Sequence, residues 1–311
     1  MEFNKPKFWD YKKPNVIAYI LLPFTFFVLM RNFFVKKFPK KRISNIKSIC
    51  VGNIYIGGTG KTPLSIKINN LIKKQGKSSI VIKKFYKNQS DEQNLIKKYS
   101  NLICKKNRLD ALKSAKEQNF EYAVFDDGIQ EKSIDYDIKT LCFTNLQWKG
   151  NGFLIPAGPL RDKIGSLKNF DMVFINGDPK KNENILSEIR NLNDNIDIFE
   201  TFYKPSNLKE FNIGLNYIAF SGIGNSENFF HTLNENKFKI IKKLNFPDHY
   251  NYTENDLLKI WNLAKSNNAE IITTEKDYLR LNEKFSKKIK FLKLELVIIE
   301  EQKLINLLMK K

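Results

Sequence analysis

"IYIGGTGKTPLSI", residues 54–66, is the stretch that decides the fold class of this 311-residue chain. A short apolar run leads into Gly57, Gly58 and Gly60, and the Gly-Lys-Thr triplet that ends at Thr62 opens a helical pattern. Glycines let backbone N–H groups turn toward a phosphate, and the start of a helix adds the positive end of its dipole. The stretch therefore predicts a phosphate-binding loop.

The loop departs from the usual pattern at one position. G-x-x-x-x-G-K-[ST] requires a glycine where this chain has Tyr55. The other parts are present, because the Lys61 ammonium can reach the β- and γ-phosphates and the Thr62 hydroxyl can coordinate Mg²⁺. The alternative is an ordinary glycine-rich turn between a strand and a helix. The position of Lys61 and Thr62 at a helix start favours the nucleotide site.

The flanking segments alternate between strand and helix patterns. The run 61–76 predicts a helix whose apolar face carries Leu64, Ile68, Leu71 and Ile72. "SICVGNI", "SSIVIKK" (78–84) and "YAVFDDG" (122–128) are predicted strands, and 108–118 is a predicted helix. This alternation predicts an α/β domain of the P-loop NTPase type with a parallel sheet.

Further strands are predicted in the second half of the chain, at 171–177, 215–224, 269–277 and 289–299. We expect a second, smaller α/β domain there, with a soft boundary near residue 150. The expected division is a membrane-associating segment at 1–45, a P-loop kinase domain at 46–150, a second domain at 151–300 and a C-terminal helix at 301–311. That last helix can pack on either domain.

A pair of carboxylates supports the nucleotide site. In "YAVFDDGIQ" (122–130), an apolar strand ends in Asp126 and Asp127. P-loop enzymes hold Mg²⁺ with a carboxylate at the end of a neighbouring strand. The alternative is a simple turn, since Asp-Asp-Gly is common after strands. The position of the pair after a P-loop favours the metal role.

The N-terminal run "VIAYILLPFTFFVLM" (16–30) is apolar and uncharged. It is shorter than the roughly 20 residues of a spanning helix, and Pro23 interrupts it. Basic residues flank it at Lys12, Lys13, Arg31, Lys36, Lys37, Lys40, Lys41 and Arg42. A buried core helix is the alternative. The combination of aromatic and basic residues favours a helix in the membrane interface, in contact with anionic headgroups.

The composition limits the function classes. The net charge of +20 favours a polyanionic partner, but a general lysine bias explains much of it equally well. We find no aromatic-basic RNA motif or recognition helix, so nucleic acid is not an expected partner. The three cysteines have no metal-ligand spacing and suit reduced, buried thiols.

Three further stretches are unremarkable when taken singly. "SDEQ" (90–93) reads as an acidic helix start, "PAGPLRD" (156–162) as a rigid turn with an ion pair, and "FPDHYNYT" (246–253) as a turn with His249 before a helix near Thr253.

Taken together and in order, these motifs resemble the tetraacyldisaccharide 4'-kinases of lipid A biosynthesis. "VGNIYIGGTGKTP" (51–63) resembles that family's P-loop, which also lacks the distant glycine. "SDEQ" resembles its G-D-E-P segment and "DDGIQ" its D-D-G-F-Q. The stretches 150–162, 220–230, 246–253 and 273–281 also match, so the resemblance covers most of the chain.

The resemblance implies a two-domain P-loop kinase that uses ATP and Mg²⁺. It would phosphorylate the 4'-hydroxyl of a lipid A disaccharide 1-phosphate. It also implies a peripheral or monotopic location on the cytoplasmic face of the bacterial inner membrane, with an anionic membrane surface as partner. The oligomeric state is left open.

Roles follow from the matched motifs. Asp91 would be the catalytic acid–base residue and His249 its partner, together taking the proton from the sugar hydroxyl. The implied ATP-binding residues are Gly57, Gly58, Thr59, Gly60, Lys61, Thr62 and Arg108. The implied metal site comprises Thr62, Asp126, Asp127, Glu92 and Gln130. The implied substrate-binding residues are Lys84, Tyr86, Arg161 and Asp162.

The chain departs from the family in three places. The usual S-R-G-Y-G after the second strand is "KKFYK" (83–87) here, so Lys84 stands in for Arg, and Lys cannot make the bidentate fork of Arg. The usual His after D-D-G-F-Q is Glu131, and the acid of the Arg-acid pair is Asp162 rather than Glu. These changes bear on substrate positioning more than on phosphoryl transfer.

A second function class fits the P-loop, the charge and the N-terminus: a membrane-associated P-loop ATPase that acts as a switch or recruits a partner. It gives no reason for the "FPDHY" stretch of the second domain. Phosphorylation of a glycolipid separates the two classes.

Overall fold

The computed structural model describes residues 5–36, 39–86, 90–129, 131, 133–224, 226–248 and 250–310. The chain forms two compact units. The larger unit comprises Met1–Phe85, Ser100–Phe202 and Leu296–Lys311, and the smaller comprises Tyr86–Tyr99 and Tyr203–Glu295.

The larger unit contains most of a sheet of eight strands. They are β1 (Lys47–Gly52), β2 (Ser79–Lys84), β3 (Leu102–Lys105), β4 (Tyr122–Asp126), β5 (Ile138–Thr144), β6 (Met172–Asn176), β7 (Asp197–Pro205) and β12 (Leu294–Ile298). Their order is β12-β7-β6-β5-β1-β4-β2-β3, and all pairs from β7 to β3 are parallel. The central strands are buried and almost continuously apolar, as a parallel sheet covered on both faces requires.

The helices of the larger unit are α1 (Val16–Leu21), α2 (Thr25–Lys36), α3 (Lys61–Lys74), α5 (Arg108–Glu117), α6 (Glu183–Leu192) and α11 (Glu301–Lys310). The predicted apolar face of α3 is buried, with Leu64, Ile68, Leu71 and Ile72 all at most 2% exposed. Gly76, with φ +76°, follows the helix end in a left-handed conformation that glycine adopts without strain. The helix that carries Lys61 and Thr62 is therefore fixed to the sheet.

The smaller unit contains a four-stranded sheet. Its strands are β8 (Asn216–Ser221), β9 (Lys239–Asn245), β10 (Ala269–Thr274) and β11 (Lys290–Leu292), in the order β11-β10-β8-β9 with parallel pairs. Its helices are α4 (Ser90–Tyr99), α7 (Ser226–Glu235), α8 (Glu254–Ser266), α9 (Glu275–Tyr278) and α10 (Glu283–Ser286). Thr253 caps α8 with a capping box to Asp256, so the helix begins where the sequence predicts.

The units divide the chain elsewhere than near residue 150. Strands β6 and β7 hydrogen-bond in parallel to β5 and so extend the P-loop sheet to residue 202. Helix α4 belongs to the smaller unit although it lies between β2 and β3 in sequence. Helix α11 belongs to the larger unit, where Glu301 pairs with Lys67 of α3 at 2.7 Å. Pairing between distant strands, which local patterns do not encode, sets these boundaries.

One expectation on an individual element is wrong, and another needs extension. The single strand expected at 289–299 is two strands, β11 and β12, which belong to different sheets and are separated at Lys293. The helical stretch extends beyond the 15-residue apolar run, since Val16–Val35 comprises 20 residues and is long and apolar enough to cross a membrane by length and composition alone. Pro23 does not end it, because it lies in a short 3₁₀ turn, Leu22–Phe24, between α1 and α2.

Candidate active site

Tyr55 stands where the longer P-loop pattern has glycine, and it is a core residue. Its ring is fully buried among the apolar side chains of the larger unit. Its hydroxyl donates a hydrogen bond to Asp10 and accepts one from Lys5 at 3.1 Å. Burial, followed by the hydrogen bond to Asp10, raises the pKa of Tyr55. The side chain therefore fixes the start of the loop.

The loop itself leaves room for a phosphate. Gly57 and Gly60 have φ values of +139° and +86°, conformations that side chains rarely adopt. A Cβ added at Gly58 would meet no atom within 4 Å. The Thr59 hydroxyl is buried and has no hydrogen-bond partner among the described residues. A buried unpaired hydroxyl costs free energy unless a ligand or water satisfies it.

Thr62 and Asp126 meet directly beneath this loop. The Thr62 hydroxyl donates to Asp126 Oδ2 at 2.9 Å, and the Ser65 hydroxyl lies 3.4 Å from Oδ1. Lys83 Nζ, at the end of β2, donates to the same Oδ2 at 2.7 Å. Asp126 is thus held by α3 from one side and by β2 from the other.

The Asp127 carboxylate lies near several basic side chains. Lys61 Nζ lies 3.8 Å and Arg161 Nη1 4.0 Å from Asp127 Oδ1, and that oxygen has no hydrogen-bond partner among the described residues. Arg108 donates to the Asp127 carbonyl at 2.7 Å. Burial raises the pKa of this carboxyl, but the charges of Lys61, Arg161, Arg108 and Lys83 outweigh it, so the pKa lies below its usual value.

Backbone pairing explains why Arg161 reaches the loop. The Arg161 N–H donates to the Ile54 carbonyl at 2.7 Å, and the Ile56 N–H donates to the Pro159 carbonyl at 2.9 Å. This short bridge ties "PAGPLRD" to the P-loop. We call the group formed by the loop, Lys61, Thr62, Lys83, Arg108, Asp126, Asp127 and Arg161 the P-loop site.

Asp91 lies in the smaller unit and is clamped by two cations. Its carboxylate is 2% exposed, and Oδ2 accepts a hydrogen bond from Arg280 Nη2 at 2.7 Å and lies 3.3 Å from Lys276 Nζ. Lys276 also lies 3.3 Å from Glu92 and 4.0 Å from Asp248. We call these five residues the Asp91 site.

Arg280 is itself held in place. Its Nη1 donates to the Gly222 carbonyl at 2.8 Å and to Asp277 Oδ1 at 3.0 Å. Asp277, fully buried, also accepts hydrogen bonds from Tyr252 and Thr274. The Arg280 guanidinium is therefore fixed in position where it donates to Asp91. Burial lowers the pKa of Lys276, but Glu92, Asp91 and Asp248 outweigh it and raise the pKa above its usual 10.5.

The predicted site residues are distributed over both units. Glu92, a predicted member of the metal site, lies in the smaller unit, where its carboxylate is 3.3 Å from Lys276 Nζ. Lys84 is half-buried at the end of β2, Tyr86 is exposed in the smaller unit, and Asp162 adjoins Arg161. His249 and Gln130 lie outside the described residues.

Sequence reasoning missed four residues of these sites, namely Lys83, Asp248, Lys276 and Arg280. Lys83 was hidden inside a strand pattern, in which lysine usually points to solvent. Lys276 and Arg280 belong to "TTEKDYLRL", where the i, i+4 spacing of two cations after a buried strand is the available signal.

The family model of the tetraacyldisaccharide-1-P 4'-kinases matches residues 17–101 and 87–311 of this chain. The chain belongs to this family. The tetraacyldisaccharide 4'-kinase of Pelagibacter ubique (strain HTCC1062) is 47% identical over 310 residues, which cover 100% of this chain and 98% of that protein. That of Rickettsia bellii (strain OSU 85-389) is 35% identical, and the match covers 89% of each chain.

A solved structure shares the fold. The structure of LpxK from Aquifex aeolicus in complex with ATP has a TM-score of 0.72 and 21% identity, and the match covers 95% of this chain and 99% of that one. It supports the P-loop NTPase-like α/β architecture. The family membership favours a kinase over the membrane-bound ATPase switch.

Proposed function

We propose that the protein transfers the γ-phosphoryl group of ATP to the 4'-hydroxyl of a tetraacylated glucosamine disaccharide 1-phosphate in lipid A biosynthesis. The observation that carries the proposal is the P-loop site, where Thr62 is hydrogen-bonded to Asp126 and Lys61 lies beside Asp127. The near-full-length match to proteins of this activity supports the substrate class.

The residues of the P-loop site fit Mg²⁺ and ATP. Two buried atoms have no hydrogen-bond partner among the described residues, the Thr59 hydroxyl and Asp127 Oδ1, and a phosphate with its metal would supply one. The open space at Gly58 leaves room for that phosphate. Among the described residues, no cluster of three or more His, Cys, Asp or Glu side chains could hold a metal unaided. Mg²⁺ rarely needs one, since it keeps waters and takes phosphate oxygens.

The roles within the P-loop site follow from charge. Lys61 and Arg108 would bind phosphate oxygens, while Thr62 and Asp127 would hold Mg²⁺, which neutralises charge on the β- and γ-phosphates when bound. Gly57, Gly58, Thr59 and Gly60 supply N–H groups and space. Gln130 and Glu92 stay proposed members of the metal site, and Glu92 also pairs with Lys276.

In the Asp91 site, the Asp91 carboxylate would accept the proton of the attacking hydroxyl, with His249 as its proposed partner. Arg280 and Lys276 pair with the carboxylate and fix its position. A carboxylate is a weak base for an alcohol. A weak base suffices when the proton moves late in a loose phosphoryl-transfer transition state. Lys84, Tyr86, Arg161 and Asp162 are proposed contacts for the sugar and its phosphate.

The N-terminal helices are the proposed membrane contact. Eleven large apolar side chains are exposed between Val16 and Phe34. The same stretch also contacts the rest of the larger unit along its length, through Tyr19 on Phe153, Leu29 on the core and Asn32 on the Arg161 carbonyl. A helix attached in this way lies along the protein, which supports a monotopic rather than spanning arrangement, on the cytoplasmic face where ATP is present.

The test is a phosphorylation assay with purified protein, ATP, Mg²⁺ and detergent-dispersed tetraacyldisaccharide 1-phosphate. We expect a bis-phosphorylated lipid as product. Asp91→Ala and His249→Ala should each lower turnover by about 10²-fold or more while ATP still binds. Full activity in both variants would contradict the assignment of Asp91 and His249 as a catalytic dyad. ATP binding without any lipid product would contradict the substrate assignment.

A further inference from the structure

Lys83 is a buried cation that the roles above leave unused. It lies at the end of β2, where its register partner on β4 is Asp126. Its side chain is 3% exposed, and Nζ lies 2.7 Å from an Asp126 carboxylate that is 1% exposed. A buried ammonium is costly unless it is paired, so this pair is a built feature of the site.

The oxygens of Asp126 are committed to protein donors. Oδ2 accepts from both Lys83 and Thr62, and Ser65 lies near Oδ1. The Lys83 charge cancels that of the carboxylate and repels any further cation that approaches it. A divalent ion would therefore bind to Asp126 much more weakly than to an unpaired carboxylate.

The neighbouring Asp127 is different. One-third of its side chain is exposed, although Oδ1 itself is buried; among the described residues Oδ1 makes no hydrogen bond and lies 3.8 Å from Lys61 Nζ and 4.0 Å from Arg161 Nη1. The two adjacent acids thus differ: Asp126 is held by hydrogen bonds and a buried ion pair, whereas Asp127 Oδ1 makes no hydrogen bond among the described residues and faces two cations at 3.8 and 4.0 Å.

We propose that Lys83 acts as a resident positive charge at Asp126, positions that carboxylate on the Thr62 hydroxyl, and lowers the affinity of the nucleotide-free protein for divalent cations. The metal then enters chiefly with the nucleotide, whose phosphates supply the missing negative charge. The proposal rests on the assignment of the P-loop site as the metal–nucleotide site.

The test measures Mn²⁺ binding to the full-length, nucleotide-free protein by electron paramagnetic resonance. Lys83→Ser and Lys83→Gln both remove the charge, and the Gln variant keeps most of the volume and a hydrogen-bond donor should the Ser variant fail to fold. Both should bind Mn²⁺ at least about tenfold more tightly than the unmodified protein, because Coulomb repulsion at this range exceeds that factor. Lys83→Arg, which retains the charge, should stay within about twofold.

Lys105→Ser is the matched control, since Lys105 is an exposed lysine at the end of the adjacent strand β3. It removes the same formal charge and should leave Mn²⁺ affinity within about twofold. An unchanged affinity in Lys83→Gln, or an equal gain in Lys105→Ser, overturns the proposal. The Mn²⁺ assay contains no lipid. A failure of lipid phosphorylation in the unmodified protein would therefore contradict the proposed activity without affecting the conclusion about Lys83.

Discussion

At the residue scale, Arg280 is the group whose removal should separate chemistry from nucleotide binding. Arg280→Ala removes the 2.7 Å hydrogen bond to Asp91 and releases its carboxylate. Misplacement of a reacting group by about 1 Å costs roughly 10²-fold, so we expect kcat to fall by about 10–10²-fold. ATP affinity, measured by calorimetry, should not change.

The conservative variant tests the positioning role. Arg280→Lys keeps a cation but loses the fork that joins Asp91 to Asp277, so we expect partial recovery of kcat. Equal kcat in the Ala variant and the unmodified protein would contradict the role of Arg280.

Lys276 gives a stability prediction with a defined pH window. Its folded-state pKa lies above the usual 10.5, so its ion pairs stabilise the fold fully below pH 10.5 and lose effect as pH rises through the folded value. Lys276→Met should lower the free energy of unfolding by about 1–3 kcal/mol near neutral pH, allowing for its partial exposure. Urea denaturation should show this gap constant from pH 7 to 9 and shrinking above pH 10.5.

Lys284→Met is the control, because its pair with Glu254 joins two exposed side chains. We expect a loss below about 1 kcal/mol. A gap for Lys276→Met that widened at alkaline pH would have the wrong sign for a raised pKa.

At the element scale, Asp137 joins two central strands. Its Oδ2 accepts from the Ser48 N–H at 2.8 Å and from the Ser48 hydroxyl at 2.7 Å, at the start of β1 and just before β5. Burial raises the pKa of Asp137, but the Ser48 bonds and Arg42 outweigh it and hold the pKa below the usual 3.8. The hydrogen bonds between Asp137 and Ser48 align β1, the strand that leads into the P-loop.

Asp137→Asn should therefore destabilise the protein by about 1–3 kcal/mol. Because the folded pKa is lowered, this contribution is present above pH 3.8 and is lost as pH falls through the folded value. Thermal or urea unfolding at pH 7 and at pH 3 checks it, with Asp135→Asn, a half-exposed neighbour in an ion pair with Lys139, as control. An unchanged midpoint at pH 7 would show that the Ser48 bonds add nothing.

At the scale of the whole molecule, the N-terminal helices should decide membrane binding. Phe24, Phe27 and Phe34 are each more than half exposed. Their combined replacement by Ser should weaken binding to vesicles with anionic lipid by tenfold or more, since a buried Phe side chain contributes about 1.5–3 kcal/mol. Vesicle sedimentation measures the change.

The matched control replaces three exposed apolar residues elsewhere, Leu146, Leu192 and Ile213, by Ser. Substitution is a better test than deletion, because Trp9 and Asp10 contact Pro156 and Tyr55, and their loss would disturb the P-loop. Equal vesicle binding by the two triple variants would argue against an N-terminal membrane contact.

Local patterns predicted much of this architecture and part of the site. The structure agrees with four predictions: the helix at 61–76, the strands at 78–84 and 122–128, and the start of α8. These were predictable because burial periodicity and helix capping depend on residues close together in the sequence. The strands β3, β5, β7 and β9 were not predicted. The first is short, and β9 is largely exposed, so neither carries a strong apolar signal.

The sequence by itself determined the P-loop, the parallel α/β class and the family, since these depend on residues adjacent in the chain. Only the tertiary structure decided which charged side chains, distant in sequence, form ion pairs with each other. Lys83 with Asp126 and Arg280 with Asp91 are separated by 43 and 189 residues. Their pairing depends on strand register and on the packing of α4 with α9, which are set by the burial of whole surfaces rather than by any local motif.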